Sequence, residues 1–206
     1  MEYLGVALGA FWDELAVAYR PAAAARRQQV PLRVFVILAL CVLALVKPGL
    51  EFLFAWAGAF VFAQLAEIYA LRRFQRLARP GAGVALNLFT DLLVAATFGW
   101  LSVPLWAMDT PLGAAGAILL LSGSIFTALM GAEGCLTAFA AAVAPHFLYL
   151  FVAPLLGGST PDSDPVAPFF AVGVGLFCLT VTVVFLWSQR AMTAEREARR
   201  AAERQT

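Results

Sequence analysis

The chain has 206 residues, 62% of them hydrophobic and 13% charged, with a formal net charge of +1. Soluble domains are about 45–50% apolar and about 25% charged, so an ordinary soluble enzyme is excluded. A charge so near zero also provides no electrostatic footprint for DNA or RNA, and no nucleic acid is expected as a partner.

In residues 1–29, Leu4, Leu8, Phe11, Trp12 and Leu15 recur at helical spacing, with Asp13 and Glu14 opposite. Acidic residues precede the basic Arg20, Arg26 and Arg27, the reverse of a signal peptide, so the segment is expected to be retained. Two readings are equally open. One is a cytoplasmic amphipathic helix lying on the membrane and ending at Pro21. The other is a helix packed against its own bundle.

Six apolar segments follow: Val30 to Val46, Leu50 to Tyr69, Gly83 to Met108, Leu112 to Met130, Cys135 to Leu156 and Ala167 to Trp187. Lys47-Pro48-Gly49, Pro80-Gly81, Asp109-Thr110-Pro111 and the polar stretch 157–165 mark four of the five gaps between them. No charged residue occurs from Thr110 to Ala132, from Gly134 to Pro161 or from Pro165 to Gln189. Runs of 18 or more such residues read as spans of a hydrocarbon core about 30 Å thick. The expected fold is therefore all-α: a six-helix transmembrane domain over 30–189, preceded by the N-terminal segment and followed by a cytoplasmic helix over 190–206. Cys41, Cys135 and Cys178 are scattered in apolar segments and suggest packing, not disulfides.

Orientation follows from the basic residues. With both termini in the cytoplasm, Lys47 alone among the 14 Lys and Arg residues falls outside. The expected location is a bacterial inner membrane, with the lipid bilayer as first partner.

Beyond Trp187 nothing breaks the helix, since neither Gly nor Pro follows Gly175. Ala191, Ala194, Ala198 and Ala201 are spaced 3, 4, 3, the start of a heptad seam, which predicts a homodimer through the sixth span and residues 190–206. The run Thr193-Ala-Glu-Arg-Glu-Ala-Arg-Arg-Ala-Ala-Glu-Arg204 resembles the signalling helix of bacterial sensor histidine kinases, and membrane diguanylate cyclases carry similar linkers. The resemblance covers this tail and the topology. It implies a sensor module of a two-component system, relaying a membrane or periplasmic stimulus to a cytoplasmic kinase or other output domain. The chain departs from both families in having no phosphoacceptor His after the tail and no Gly-rich ATP-binding sequence. A solvated helix ending a standalone membrane protein is the plainer reading of the tail.

Ionisable residues inside spans are costly and mark candidate sites. Glu67, Asp91 and His146 qualify, each on a stripe of mostly small residues at four-residue spacing in its own span, the stripe of Asp91 also carrying Asn87. Counted from the span ends at 1.5 Å per residue, Glu67 lies within about one turn of the inner boundary. Asn87 lies roughly 6 Å in, Asp91 roughly 12 Å and His146 roughly 16 Å. This predicts Asp91–His146 as a buried pair sensing a ligand or protons, with Ser122, Ser124 and Thr127 adding hydroxyls. Glu67 is near enough in sequence to Arg72 and Arg73 for an interfacial ion pair. One His and two carboxylates at different depths make a poor metal site. Retinal needs a mid-membrane Lys and bis-His haem two histidines, so no cofactor is expected. The sequence thus points to a non-catalytic sensor module. A small transporter or channel-like protein is the alternative, and a membrane enzyme using His146 and Asp91 is the third reading.

Overall fold

The computed structural model describes residues 2–76, 80–108, 110–156 and 167–203, the side chains of 2–9, 80, 82, 154–156, 167–170, 196 and 199–201 excepted. All regular structure in them is helical: α1 (Glu2–Val46), α2 (Phe52–Arg76), α3 (Pro80–Gly99), α4 (Ser102–Trp106), α5 (Pro111–Gly131), α6 (Leu136–Leu156) and α7 (Ala167–Glu203). Among the described residues, six stretches are long and apolar enough to cross a membrane, as a multi-pass membrane protein requires; the third comprises most of α3 together with the single turn of α4. The expected third, fourth and fifth spans recur within a few residues, whereas the first begins about 20 residues earlier and the second and sixth run about two turns longer at their C-terminal ends. The polar loop 157–166 lies outside the described residues.

The N-terminal segment departs from one of its two readings. No helix ends at Pro21: α1 is continuous through both Pro21 and Pro31. Each proline removes a ladder hydrogen bond, but neighbouring helices hold this stretch. Ala16, Tyr19, Ala22, Ala23 and Arg26 form a buried stripe at three- and four-residue intervals. Ala16, Tyr19 and Ala22 pack with Leu71 and Phe74 of α2, Val84 of α3 and Ala138 of α6. Trp12 and Leu15 join that cluster, whereas Phe11 is exposed.

A second cluster forms at the opposite end, near Lys47. There Trp56 stacks on Phe60 with centroids 5.2 Å apart, and its indole N–H donates to the Thr97 carbonyl at 2.9 Å. A third joins α5, α6 and α7 through Ile125, Val143, Val181 and the stacked pair Phe139–Phe185.

The turns have local causes. Gly49 takes φ +90° between α1 and α2, a conformation that costs glycine little. Its N–H donates to Glu51 Oε1 at 3.1 Å. That bond, aided by Glu51's own N–H, holds this exposed carboxyl below its usual range. Thr110 caps α5 by accepting the Gly113 N–H, with Pro111 following in the first turn.

Candidate functional site

Three polar residues of α1, Tyr19, Arg26 and Arg33, recur at intervals of seven and so share one face. That face meets Glu67 and Gln64 on α2 and Asp91 on α3. Arg26 Nε donates to Glu67 Oε1 at 2.8 Å, and Arg26 Nη1 lies 2.9 Å from Asp91 Oδ2. Arg33 Nη1 donates to Glu67 Oε2 at 2.6 Å and, more weakly, to Gln64 Oε1; Arg33 Nη2 donates to Gln29 Oε1. Tyr19 donates its phenol proton to Asp91 Oδ2 at 2.7 Å. Glu67 and Asp91 are wholly buried and Arg26 nearly so. Two guanidiniums and two carboxylates thus form a charge-balanced cluster joining three helices inside the bundle.

The sequence-predicted residues divide accordingly. Glu67 pairs with α1, not with Arg72 and Arg73, which are exposed on the helix's other side. Asp91 is in the cluster, but it forms no ion pair with His146. The reason is register. An added Cβ at Gly99 would lie 2.9 Å from His146 Nδ1, so His146 is level with Gly99. That is eight residues, about 12 Å, beyond Asp91 along α3. Asn87 sends its amide N–H to the Gly83 carbonyl of its own helix and makes no bond to Glu67. Ser122 is half-buried and stands off the cavity wall described next. Ser124 and Thr127 are on that wall, but their hydroxyls donate to Leu120 O and Gly123 O within α5. Among the described residues, Gln64 Nε2, Asn87 Oδ1, Asp91 Oδ1 and His146 Nδ1 are buried without a hydrogen-bond partner. No three His, Cys, Asp or Glu side chains among them gather as a metal ligand set.

A cavity of about 440 Å³ adjoins the cluster, walled by α1, α2, α3, α5 and α6. Arg26, Gln29, Arg33 and Gly131 line the end nearer the polar cluster, and Leu40, Phe98, Leu119 and His146 line the end towards Lys47. Glu67 and Asp91 do not reach its wall; they stand behind the guanidiniums.

Sequence reasoning missed Tyr19, Arg26, Arg33, Gln29 and Gln64. The signal for three of them was present, as the seven-residue repeat of polar groups in α1. Comparison of the chain with protein-family models, with curated proteins and with solved structures found no match.

Proposed function

We propose that the chain is a membrane sensor module that relays the state of its helical bundle through α7 to a cytoplasmic output domain of the kinase type. In this reading it lies in a bacterial inner membrane with both termini in the cytoplasm, and it dimerises along α7. One observation carries the proposal: α7 is a single helix from Ala167 to Glu203, apolar in its first half and rich in Ala, Glu and Arg in its second. Its contact with the bundle is a narrow seam. Phe185 stacks on Phe139 with centroids 4.1 Å apart, and the Gln189 side-chain amide donates to the Gly134 carbonyl in the α5–α6 turn. Leu176, Leu179 and Trp187 are exposed, leaving much of the helix free for lipid or a second copy. A rigid rod held at few points can rotate or slide as a unit, which suits the hand-over of a small displacement.

The test is helical phase. In a fusion of this chain to a reporter kinase, one residue inserted after Arg190 rotates everything downstream by about 100°. Kinase output should change. Seven inserted residues, which preserve the phase of a coiled coil, should largely restore it. Output indifferent to the single insertion would refute the relay.

A further inference from the structure

We infer that the cavity between α1 and α5 is a binding site for one single-chain amphiphile with an anionic head, a carboxylate or a phosphate monoester. The inference deepens the sensor reading by naming the class of stimulus, and it rests on that reading only for its consequence, not for binding.

Four observations carry it. The first is polarity. One end of the cavity presents Arg26, Gln29 and Arg33, and the rest is walled mainly by apolar side chains such as Val36, Leu40, Phe60, Phe98 and Leu119, with Ser124, Thr127 and His146 as its polar groups. The second is the direction of charge. The ion cluster is neutral as a whole, but its cations face the cavity and its carboxylates lie behind them. Guanidiniums carry five N–H donors each and match carboxylate and phosphate oxygens. Arg26 spends Nε and Nη1 on protein acceptors, and its Nη2 has none among the described residues.

The third is size and access. About 440 Å³ holds about 15 water-sized groups at ~30 Å³ each, room for one hydrocarbon chain and not two. The wall residues run from Arg26 to Leu40 on α1, about 21 Å at 1.5 Å per residue, so the space is elongated. Leu32 and Leu119 line it and are 58% and 73% exposed, so it opens sideways between α1 and α5. The fourth is depth. The guanidinium end lies on the side where α2 ends in Arg73 and Arg76, and the apolar end points towards the bilayer centre. A lipid chain in that leaflet has the same orientation, so an amphiphile enters from it without turning over.

The experiment measures binding on the full chain in detergent by native mass spectrometry, using hexadecanoate, hexadecyl phosphate and hexadecanoic methyl ester. Hexadecanoate should bind one per chain, saturably, and hexadecyl phosphate should displace it. The ester keeps the chain and loses the charge, and should bind about tenfold more weakly or worse, the loss of one charge-assisted contact. Two variants place the site. Gly123 lines the cavity and an added Cβ there meets nothing within 4 Å, so Gly123→Phe serves to obstruct the cavity from a position with room for a side chain. It should abolish binding. Arg33→Gln should weaken the acid about tenfold and leave the ester unchanged, and Arg33→Lys should restore most of the difference. Equal binding of acid and ester, unaltered binding in Gly123→Phe, or no saturable binding of any probe would each overturn the inference. Bound amphiphile with a reporter fusion indifferent to the single-residue insertion would refute the relay and keep the site. A phase-sensitive reporter with no bound amphiphile would do the opposite.

Discussion

Glu67→Gln is the sharpest probe of the ion cluster. Glu67 has no solvent exposure and accepts from Arg26 at 2.8 Å and Arg33 at 2.6 Å. The substitution keeps the shape and leaves the buried Arg26 and the partly buried Arg33 with a single carboxylate, Asp91. Removing one partner of a buried ion pair costs about 3–5 kcal/mol, because the remaining charge is uncompensated. An ordinary interhelical hydrogen bond in a membrane averages ~0.6 kcal/mol, so the two cases are well separated. The assay is reversible unfolding in mixed micelles. The exposed Glu51→Gln serves as control, expected within about 0.5 kcal/mol of the parent. Arg33→Gln in the Glu67→Gln background restores the balance of one guanidinium and one carboxylate. The double variant should be more stable than the sum of its single effects requires, by about 0.5–3 kcal/mol. A Glu67→Gln cost below ~1 kcal/mol, or strictly additive effects, would refute the view that this is a charge-balanced unit.

Tyr19→Phe deletes one hydrogen bond to a buried carboxylate and should cost about 1.5–3 kcal/mol in the same assay, without altering helix content by circular dichroism. Gly99→Ala should destabilise by about 1–3 kcal/mol, because its Cβ would lie 2.6 Å from the Tyr149 ring. Gly116→Ala, with nothing within 4 Å of the new Cβ, should instead be neutral or up to about 1 kcal/mol stabilising, and equal melting temperatures for the two would contradict the packing. Asp91→Asn and His146→Gln should add within about 0.5 kcal/mol, since the two side chains stand two helical turns apart; a larger coupling would restore the pairing expected from depth alone.

The six spans were legible because long uncharged runs have few alternatives in water or lipid, and four of the five boundaries between them carried a named breaker such as Lys47-Pro48-Gly49 or Thr110-Pro111. Glu67 and Asp91 were legible as sites because charge inside a span demands an explanation. Their partners were not. Arg26 and Arg33 satisfied the orientation rule so well that nothing singled them out as pairing with carboxylates on α2 and α3. Pro21 weighed as a helix end because the loss of a hydrogen bond is visible in the sequence, while the packing of Ala16, Tyr19 and Ala22 that compensates it is not. Depth failed for His146 because counting from span ends treats helices as upright on a common floor. Close packing of α3 on α6 at Gly99 sets a different register.

The placement of the two arginines has a consequence for the order in which the protein is made. Helix α1 leaves the ribosome ahead of α2 and α3, carrying Arg26 and Arg33 before Glu67 and Asp91 are made. An arginine costs up to about 2.5–3.5 kcal/mol to insert at the centre of a spanning helix and less towards the end of its apolar run, where these two lie. The tight turn at Lys47–Leu50 brings α2 in directly behind α1, and Glu67 alone bonds both guanidiniums. In the α1–α2 hairpin both guanidiniums already have a carboxylate partner, with one positive charge in excess, and Asp91 balances that excess when α3 arrives. The pairing through Glu67 therefore favours insertion of α1 and α2 together over insertion of α1 alone.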